Sequence, residues 1–497
     1  MAKWVMGIDV GTTAVKVLAL DVTSGRFQSA NSNEYPLYSD NPGWAEAEPA
    51  DWMEGVKLAV SRMVQSLPEL RYSLQAIAVC GMVPAVVLLD QRNRPLRRSI
   101  QQSDGRTSTE MSRILRAMDG NQIYRHTGSY VNQQHVLPKL MWIRDHEPET
   151  WKEIRSVVGS YDYIRGIFTG NYEVEINWAI ESGCFDIHEQ TWMVQYMEAI
   201  NIPREWFGTV GEPLNVSGYL LPSIAKELGL SAGIPVMYGS ADHVASALAA
   251  GVEDAGDTLI KFGGAGDILF CTETPVFHPQ LYFDRHDLPN RYLLNGCMAA
   301  SGSLVRWLLE RIKADESMLP ALDRQAEQIT PGSDGIVVLP YFLGEKTPLF
   351  NPQARGVIFG LMLHHTDAHL FRAVLESVIY GFRHHFDVLS EADHSIRQVY
   401  ATNGGAKSAL WLQIAADTLG YPILGYPHHP GSALGAAIVA AMGAGIFPDI
   451  PILEALNLHY EAHEPNMANH ALYNERYHVY RELYERTKDL LPIPSAI

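Results

Sequence analysis

Apolar and polar positions along this chain switch repeatedly between strand-like and helix-like spacing. Trp4-Val5-Met6 leads into Gly7 to Thr13, and Val15, Val17, Leu18 and Leu20 follow, with Lys16 interrupting. Two short apolar runs around a glycine-centred turn predict a β-hairpin. Trp52, Val56, Ala59, Val60, Met63, Val64 and Leu67 then recur at helical spacing. Leu74 to Cys80 and Ala85 to Leu89 are compact apolar runs, the second ended by Asp90. Leu137 to Arg144 reads as a helix, with Pro138 suited to its first turn. Alternation of this kind predicts an α/β architecture.

The opening pattern returns in the middle of the chain. Leu259-Ile260-Lys261-Phe262 is followed by Gly263-Gly264-Ala265-Gly266 and then Asp267-Ile268-Leu269-Phe270-Cys271, again strand, glycine turn, strand. Gly263 lies 252 positions after Gly11, about half the chain. Two such hairpins half a chain apart predict a duplicated domain with a cleft between the copies. The expected domains are 1–247 and 248–497, the boundary falling where Ala247 to Gly251 leads into Gly256. Thr366-Asp367 caps an expected helix carrying Leu370, Phe371, Val374, Leu375, Val378 and Ile379. Ser408 opens another with Leu412, Ala415, Ala416 and Leu419, stopped by Gly420 and Pro422. Ser432 to Ala444 is rich in glycine and alanine, which permits close backbone packing. No motif beyond about residue 445 carries visible chemistry.

Composition narrows the function. With 47% hydrophobic and 19% charged residues, the chain is an ordinary globular protein. A formal net charge of −18 disfavours nucleic acid or an anionic membrane as the main partner, since either wants a basic face. It leaves room for a phosphorylated small ligand, because a nest of backbone N–H groups overcomes a negative background locally. Cys80, Cys184, Cys271 and Cys297 form no C-x-x-C pair, so reduced thiols in the cytosol are the simpler reading than disulfides or zinc. No apolar stretch approaches the roughly 20 residues needed to span a bilayer. The N-terminus reads as the first strand of the fold and not as a signal peptide.

Several short motifs carry possible chemistry, each with a plainer alternative. The Gly11-Thr12-Thr13 turn leaves N–H groups open to wrap a phosphate, and Asp9 is placed to reach a phosphate-bound Mg²⁺ directly or through water. The alternative is an ordinary tight hairpin. Asn403-Gly404-Gly405-Ala406-Lys407 lies between a strand and the Ser408 helix, where small residues and a helix N-terminus suit a nucleotide. The alternative is a tight βα turn. Asp242, in Gly239-Ser240-Ala241-Asp242-His243, follows the strand-like Pro235 to Tyr238 and is placed to act on a ligand in a cleft, or else to cap a helix. Asp104 and Arg106 offer an acceptor and a donor for adjacent polyol hydroxyls, or form a solvated surface turn. His365 and His369 share a helical spacing, but without H-E-x-x-H or a nearby cysteine no metal site is expected there.

Taken together, these pieces resemble the FGGY family of carbohydrate kinases, over roughly residues 4 to 445. Asp9-Val10-Gly11-Thr12-Thr13 resembles the family's first phosphate loop. Trp44, Glu46, Pro49 and Trp52 resemble the W-x-E-x-x-P-x-x-W segment of xylulokinase-like members. Pro138 to Trp142 resembles the core of one family signature, and Gly356 to Leu361 with Ala368 to Glu376 the second. Pro340 to Pro348 is similar to the P-Y-L-x-G-E-[RK]-x-P stretch.

The resemblance implies two duplicated domains of the actin/sugar-kinase/heat-shock-ATPase type (ribonuclease H-like) flanking a cleft. It implies ATP-dependent phosphorylation of a hydroxyl of a small sugar or polyol, a pentulose in first place. Asp242 would accept the proton of the attacking hydroxyl, and Asp9 would organise Mg²⁺. Gly11, Thr12, Thr13 and Lys16 would serve the first phosphate loop, Gly263 and Gly264 the second, and Gly404, Gly405 and Ala406 the adenosine. Gly81, Met82, Asp104, Arg106 and His243 fall among the sugar contacts. ATP and Mg²⁺ are the implied cofactors, and a sugar or polyol the partner, in a cytoplasmic protein compatible with a homodimer.

Three departures from the family pattern stand out. The second loop lacks the hydroxyls of a Gly-Thr-Ser-like sequence, and Asp267 beside it opposes phosphate unless it faces away. Gly81-Met82-Val83-Pro84 lacks the histidine of Gln-Met-His-Gly, and Gln102-Ser103-Asp104-Gly105-Arg106 keeps Asp and Arg but not the tryptophan. A different FGGY substrate (a hexulose, a tetritol or a sugar acid, the last favouring an added cation such as Arg106) and a catalytically weak nucleotide- or sugar-binding protein are the competing readings.

Overall fold

The computed structural model describes residues 3–490. The outer ends of the two expected domains, 1–2 and 491–497, lie outside the described residues. The chain divides into two compact units. The first takes the chain through Gly251 together with Asp284–Asn290 and Pro430–Leu458. The second takes Val252–Phe283, Arg291–His429 and the chain from His459 onward. Each unit is therefore assembled from more than one stretch of the chain.

The first unit is built on strands β1 (Trp4–Val10), β2 (Val15–Asp21), β3 (Phe27–Asn31), β4 (Leu74–Gly81), β5 (Val216–Tyr219) and β6 (Pro235–Met237). Their order is β5-β6-β4-β1-β2-β3, and the short β7 (Ser240–Ala241) joins the edge of β4. The hairpin pairs Trp4 with Asp21 through to Val10 with Val15, and β4 runs parallel to β1. Val5, Met6, Ile8 and Val10 are all fully buried, as in a strand covered on both faces. Each such burial is worth about 1.5–3 kcal/mol. Helices α1 (Pro49–Ser66), α2 (Val136–His146) and α3 (Asp242–Ala249) belong to this unit.

The second unit repeats the plan with β8 (Asp257–Phe262), β9 (Gly266–Thr272), β10 (Tyr282–Arg285), β11 (Tyr292–Met298), β12 (Gln398–Thr402), β13 (Ile423–Gly425) and β14 (Glu461–His463). The order is β10-β11-β9-β8-β12-β13-β14. β8 is antiparallel to β9 and parallel to β12, as β1 is to β2 and β4. Outward, β13 is parallel to β12 and β14 antiparallel to β13, as β6 and β5 are in the first sheet. The two sheets thus share one order and polarity, which is the expected duplication. Helices α4 (Gly302–Arg311), α5 (Asp367–Glu391) and α6 (Ala409–Leu419) follow. Thr366 caps α5 with a capping box closed by His369, and Gly420 ends α6 in the left-handed region.

Two later helices were less legible. α7 (Ser432–Gly443) is a helix of the first unit, although it follows nearly all of the second in sequence. It lies so close to β1 that a Cβ on Gly7 would sit 2.1 Å from the Ala433 carbonyl oxygen. A Cβ on Gly435 would likewise sit 1.9 Å from the Ala245 carbonyl oxygen in α3. Only glycine allows that approach. α8 (Met467–Thr487) buries Tyr473, Tyr477, Tyr480 and Tyr484 in the second unit's core.

Candidate active site

Asp242 is the first residue of α3, with Ala241 in the N-cap position, so it does not cap the helix. An acid in the first turn is favoured by the helix dipole. Its side chain is 37% exposed, while the neighbouring carboxylate of Asp284 is fully buried. His243 Nδ1 lies 3.5 Å from Asp242 Oδ1, and Nε2 lies 3.0 Å from Asp284 Oδ2. Burial disfavours a charged imidazole, but Asp284 and Asp242 outweigh it and hold His243 well above its ordinary range. Both ring nitrogens therefore face carboxylates of this chain, which bears on the expectation that His243 contacts sugar.

Asp284 arrives on the segment Asp284–Asn290. A reciprocal pair fastens it: Arg285 N–H donates to Asn177 Oδ1 at 2.8 Å, and Asn177 Nδ2 donates to the Arg285 carbonyl at 2.9 Å. Ser240 Oγ lies 2.9 Å from Asp287 Oδ2. Burial pushes Asp287 up to about 7, against the opposing effects of Ser240 and His243. Sequence reasoning missed Asn177, Asp284 and Asp287, because nothing in the local pattern of Phe283 to Leu288 signals that it returns to the first unit.

Asp9 is the penultimate residue of β1, beside Lys16, its partner across the register. Ser432 Oγ, at the start of α7, donates to Asp9 Oδ2 at 2.6 Å. Lys16 donates to the Pro430 carbonyl, and burial lowers its pKa against the pull of Asp9. Ser432 is a further residue the sequence did not single out. Thr12 and Thr13 are exposed in the turn, and Tyr35 OH secures the Gly11 carbonyl at 2.5 Å. Among the described residues no group of three or more His, Cys, Asp or Glu side chains is arranged to hold a metal. A single carboxylate suits Mg²⁺ carried on substrate phosphates, since that ion keeps most of its waters.

The residues expected to contact sugar also pack and bond within the protein, with Arg106 Nη1 left buried without a partner. Gly81 is close-packed, a Cβ there falling 2.9 Å from Ser160 Oγ, and Met82 is buried. Asp104 is fully buried, so the reading of a solvated surface turn is overturned. It accepts from Ala45 N–H and Arg106 Nη2, each at 2.7 Å, and from Arg106 Nε at 2.8 Å. Arg106 also donates to Glu46 at 2.7 Å and stacks over Trp44 with 3.7 Å to the ring centroid. This is a structural knot of a cation, two acids and an aromatic ring.

In the second unit, Ser301 and Ser303 donate backbone N–H groups to the Gly264 carbonyl, and Gly302 to that of Gly263. These bonds hold the Gly263-Gly264-Ala265 turn against the N-terminus of α4. Asp267 does not stand as a bare anion, because Lys261 Nζ lies 3.5 Å from it. Gly404, Gly405 and Ala406 form a 3₁₀ turn before the Ser408 cap of α6, and a Cβ on Gly405 would strike Phe262 and Trp411. Two histidines of the 364–369 cluster serve the backbone. His365 Nδ1 accepts from Met362 N–H and His369 Nδ1 from Thr366 N–H.

Comparison with known proteins matches this arrangement. The N-terminal domain of the FGGY family of carbohydrate kinases matches residues 4–249, and its C-terminal domain matches residues 267–444. The chain is 32% identical to a xylulose kinase of Staphylococcus epidermidis, over 98% of this chain and 97% of that protein. It is 26% identical to a gluconokinase of Bacillus subtilis, over 90% and 88%. The crystal structure of xylulose kinase from Rhodospirillum rubrum superposes with a TM-score of 0.89 at 39% identity, covering 98% and 99% of the two chains. Matched along both halves, with the twin sheets and glycine hairpins of a duplicated nucleotide-binding fold, the chain belongs to the FGGY family of carbohydrate kinases.

Proposed function

We propose that the chain phosphorylates a pentulose of the xylulose type from ATP, with Asp242 as the base. The observation that carries the role of Asp242 is its exposure at the head of α3, beside a wholly buried Asp284. The acceptor hydroxyl gives its proton to Asp242, its oxygen bonds to the γ-phosphorus, and the bond from that phosphorus to ADP breaks. Gly11, Thr12, Thr13, Lys16, Gly263 and Gly264 hold phosphate oxygens, and Gly404, Gly405 and Ala406 hold the adenosine. Asp9, oriented by Ser432, would hold Mg²⁺ together with the nucleotide, and the ion would supply neutralisation of phosphate charge there.

Likeness over nearly full length to xylulose kinases supports the pentulose. Arg106 Nη1 is buried without a hydrogen-bond partner, but the charge of the guanidinium is already balanced by Asp104 and Glu46, which supports a neutral sugar over a sugar acid. We also place the enzyme in the cytoplasm, the simplest setting for four free cysteines and an ATP substrate. ADP release measured across pentuloses, hexuloses, tetritols and sugar acids tests the reading. Turnover is expected with D-xylulose or a close pentulose, and preference for gluconate overturns the substrate assignment.

A further inference from the structure

Asp242 is followed at once by a histidine whose ring is almost buried and lies between two acids. The second of those acids comes from 41 residues further along the chain, on a segment pinned by Asn177. Such a clamp is expensive to build, since the imidazole and the wholly buried Asp284 leave water together, and it persists only where the charges compensate one another. We propose that His243 and Asp284 are positioning residues, an imidazolium clamped between two carboxylates that aims Asp242 at the acceptor hydroxyl and keeps it ionised. The inference rests on the assignment of Asp242 as the base.

The chemistry asks for such a device. Phosphoryl transfer passes through a loose transition state in which the acceptor needs little activation. A weak base that is always ionised and rigidly aimed serves better than a strong one that is partly protonated. His243 supplies the charge and Asp284 fixes the ring. The proton of the hydroxyl ends on Asp242, and His243 keeps both of its own.

The surrounding groups do not replace this charge. Asp287 is pushed up to about 7 by burial, and Ser240 donates to it. Arg285 is paired with Glu212 at 3.0 Å. His286 accepts the Leu288 N–H on Nδ1. Cys80, on β4, is held well above its ordinary value by burial and by Asp9, Asp242 and Asp287, and so stays a neutral thiol. Burial likewise raises Glu175. Helix α7, packed along α3, carries no titratable side chain.

The test uses the full-length protein. In H243Q, the acid limb of kcat/KM for the sugar is expected to move up by about 1–3 pH units, the effect of removing a cation at this range. Histidine-ring NMR of the unsubstituted protein should show His243 still doubly protonated well above the ordinary imidazole range. D284N should bring its titration down toward about 6.5. An H243Q profile parallel to that of the parent, or a parent His243 titrating near 6.5, overturns the proposal. If H243Q does not fold, the NMR titration alone decides. Full turnover in D242N would instead remove the base assignment while leaving the His243 titration as found, so the two failures are distinguishable.

Discussion

Replacing Gly435 by alanine tests how the first unit is assembled. A Cβ at this position would lie 1.9 Å from the Ala245 carbonyl oxygen, 2.5 Å from its carbon and 2.8 Å from its Cα. All three are backbone atoms of α3, so no side chain can swing away. Ordinary contact begins near 3.4 Å, and α3 and α7 must separate by about 1.5 Å to reach it. A gap of that size forfeits roughly half of the dispersion attraction along the seam. Overpacking of this kind costs about 1–3 kcal/mol where side chains can adjust, and here they cannot, so we expect about 3 kcal/mol or more. For a unit of this size that is a fall in Tm of roughly 6–12 °C. Because Asp242 opens α3, kcat should fall as well. Gly229→Ala supplies the control: its φ of +69° lies in the left-handed region, but nothing lies within 4 Å. It should cost only about 1–2 kcal/mol. Thermal unfolding by circular dichroism reads both variants. If Gly435→Ala melts within about 2 °C of the parent with unchanged kcat, the packing argument is wrong.

Two further substitutions probe the buried charges. Arg106→Lys keeps the cation but loses the paired bonds to Asp104 and the stack on Trp44, and should lower stability by about 3 kcal/mol with little change in KM for the sugar. An unchanged Tm with a raised sugar KM would instead make Arg106 a substrate ligand. Asp287 has a folded pKa of about 7, above its ordinary 3.8, because of burial. The folded state therefore holds a proton that the unfolded chain has released between about pH 4 and 7, so stability falls as pH rises through that window, by at most about 4 kcal/mol. Asp287→Asn should remove that slope in urea unfolding at pH 4.5 and pH 8. An identical slope in the variant contradicts the assignment.

Much of the fold was legible because its signals are local. Both hairpins announce themselves by apolar runs on either side of glycine, and α1, α2, α5 and α6 by spacing and caps. The membership of α7 was not legible. A helix of glycine, alanine and aliphatic residues has no polar face to show which sheet it covers, and its fit depends on Gly7, more than 400 residues away. At the site, Asp242 and Asp9 could be read from their positions after strand-like runs. The partners that define their surroundings could not, because Ser432 and Asp284 reach them only through the fold. The Asp104–Arg106 pair was visible as an acceptor and a donor, but its burial against Glu46 and Trp44 depends on tertiary packing.

The most direct measurement is sugar-dependent ADP release by the full-length Asp242→Asn protein, with nucleotide binding measured in parallel. Loss of the base should lower kcat by about 10²-fold or more, with Tm and nucleotide affinity retained. Turnover close to that of the parent would mean that another group receives the hydroxyl proton, and the site would have to be assigned elsewhere.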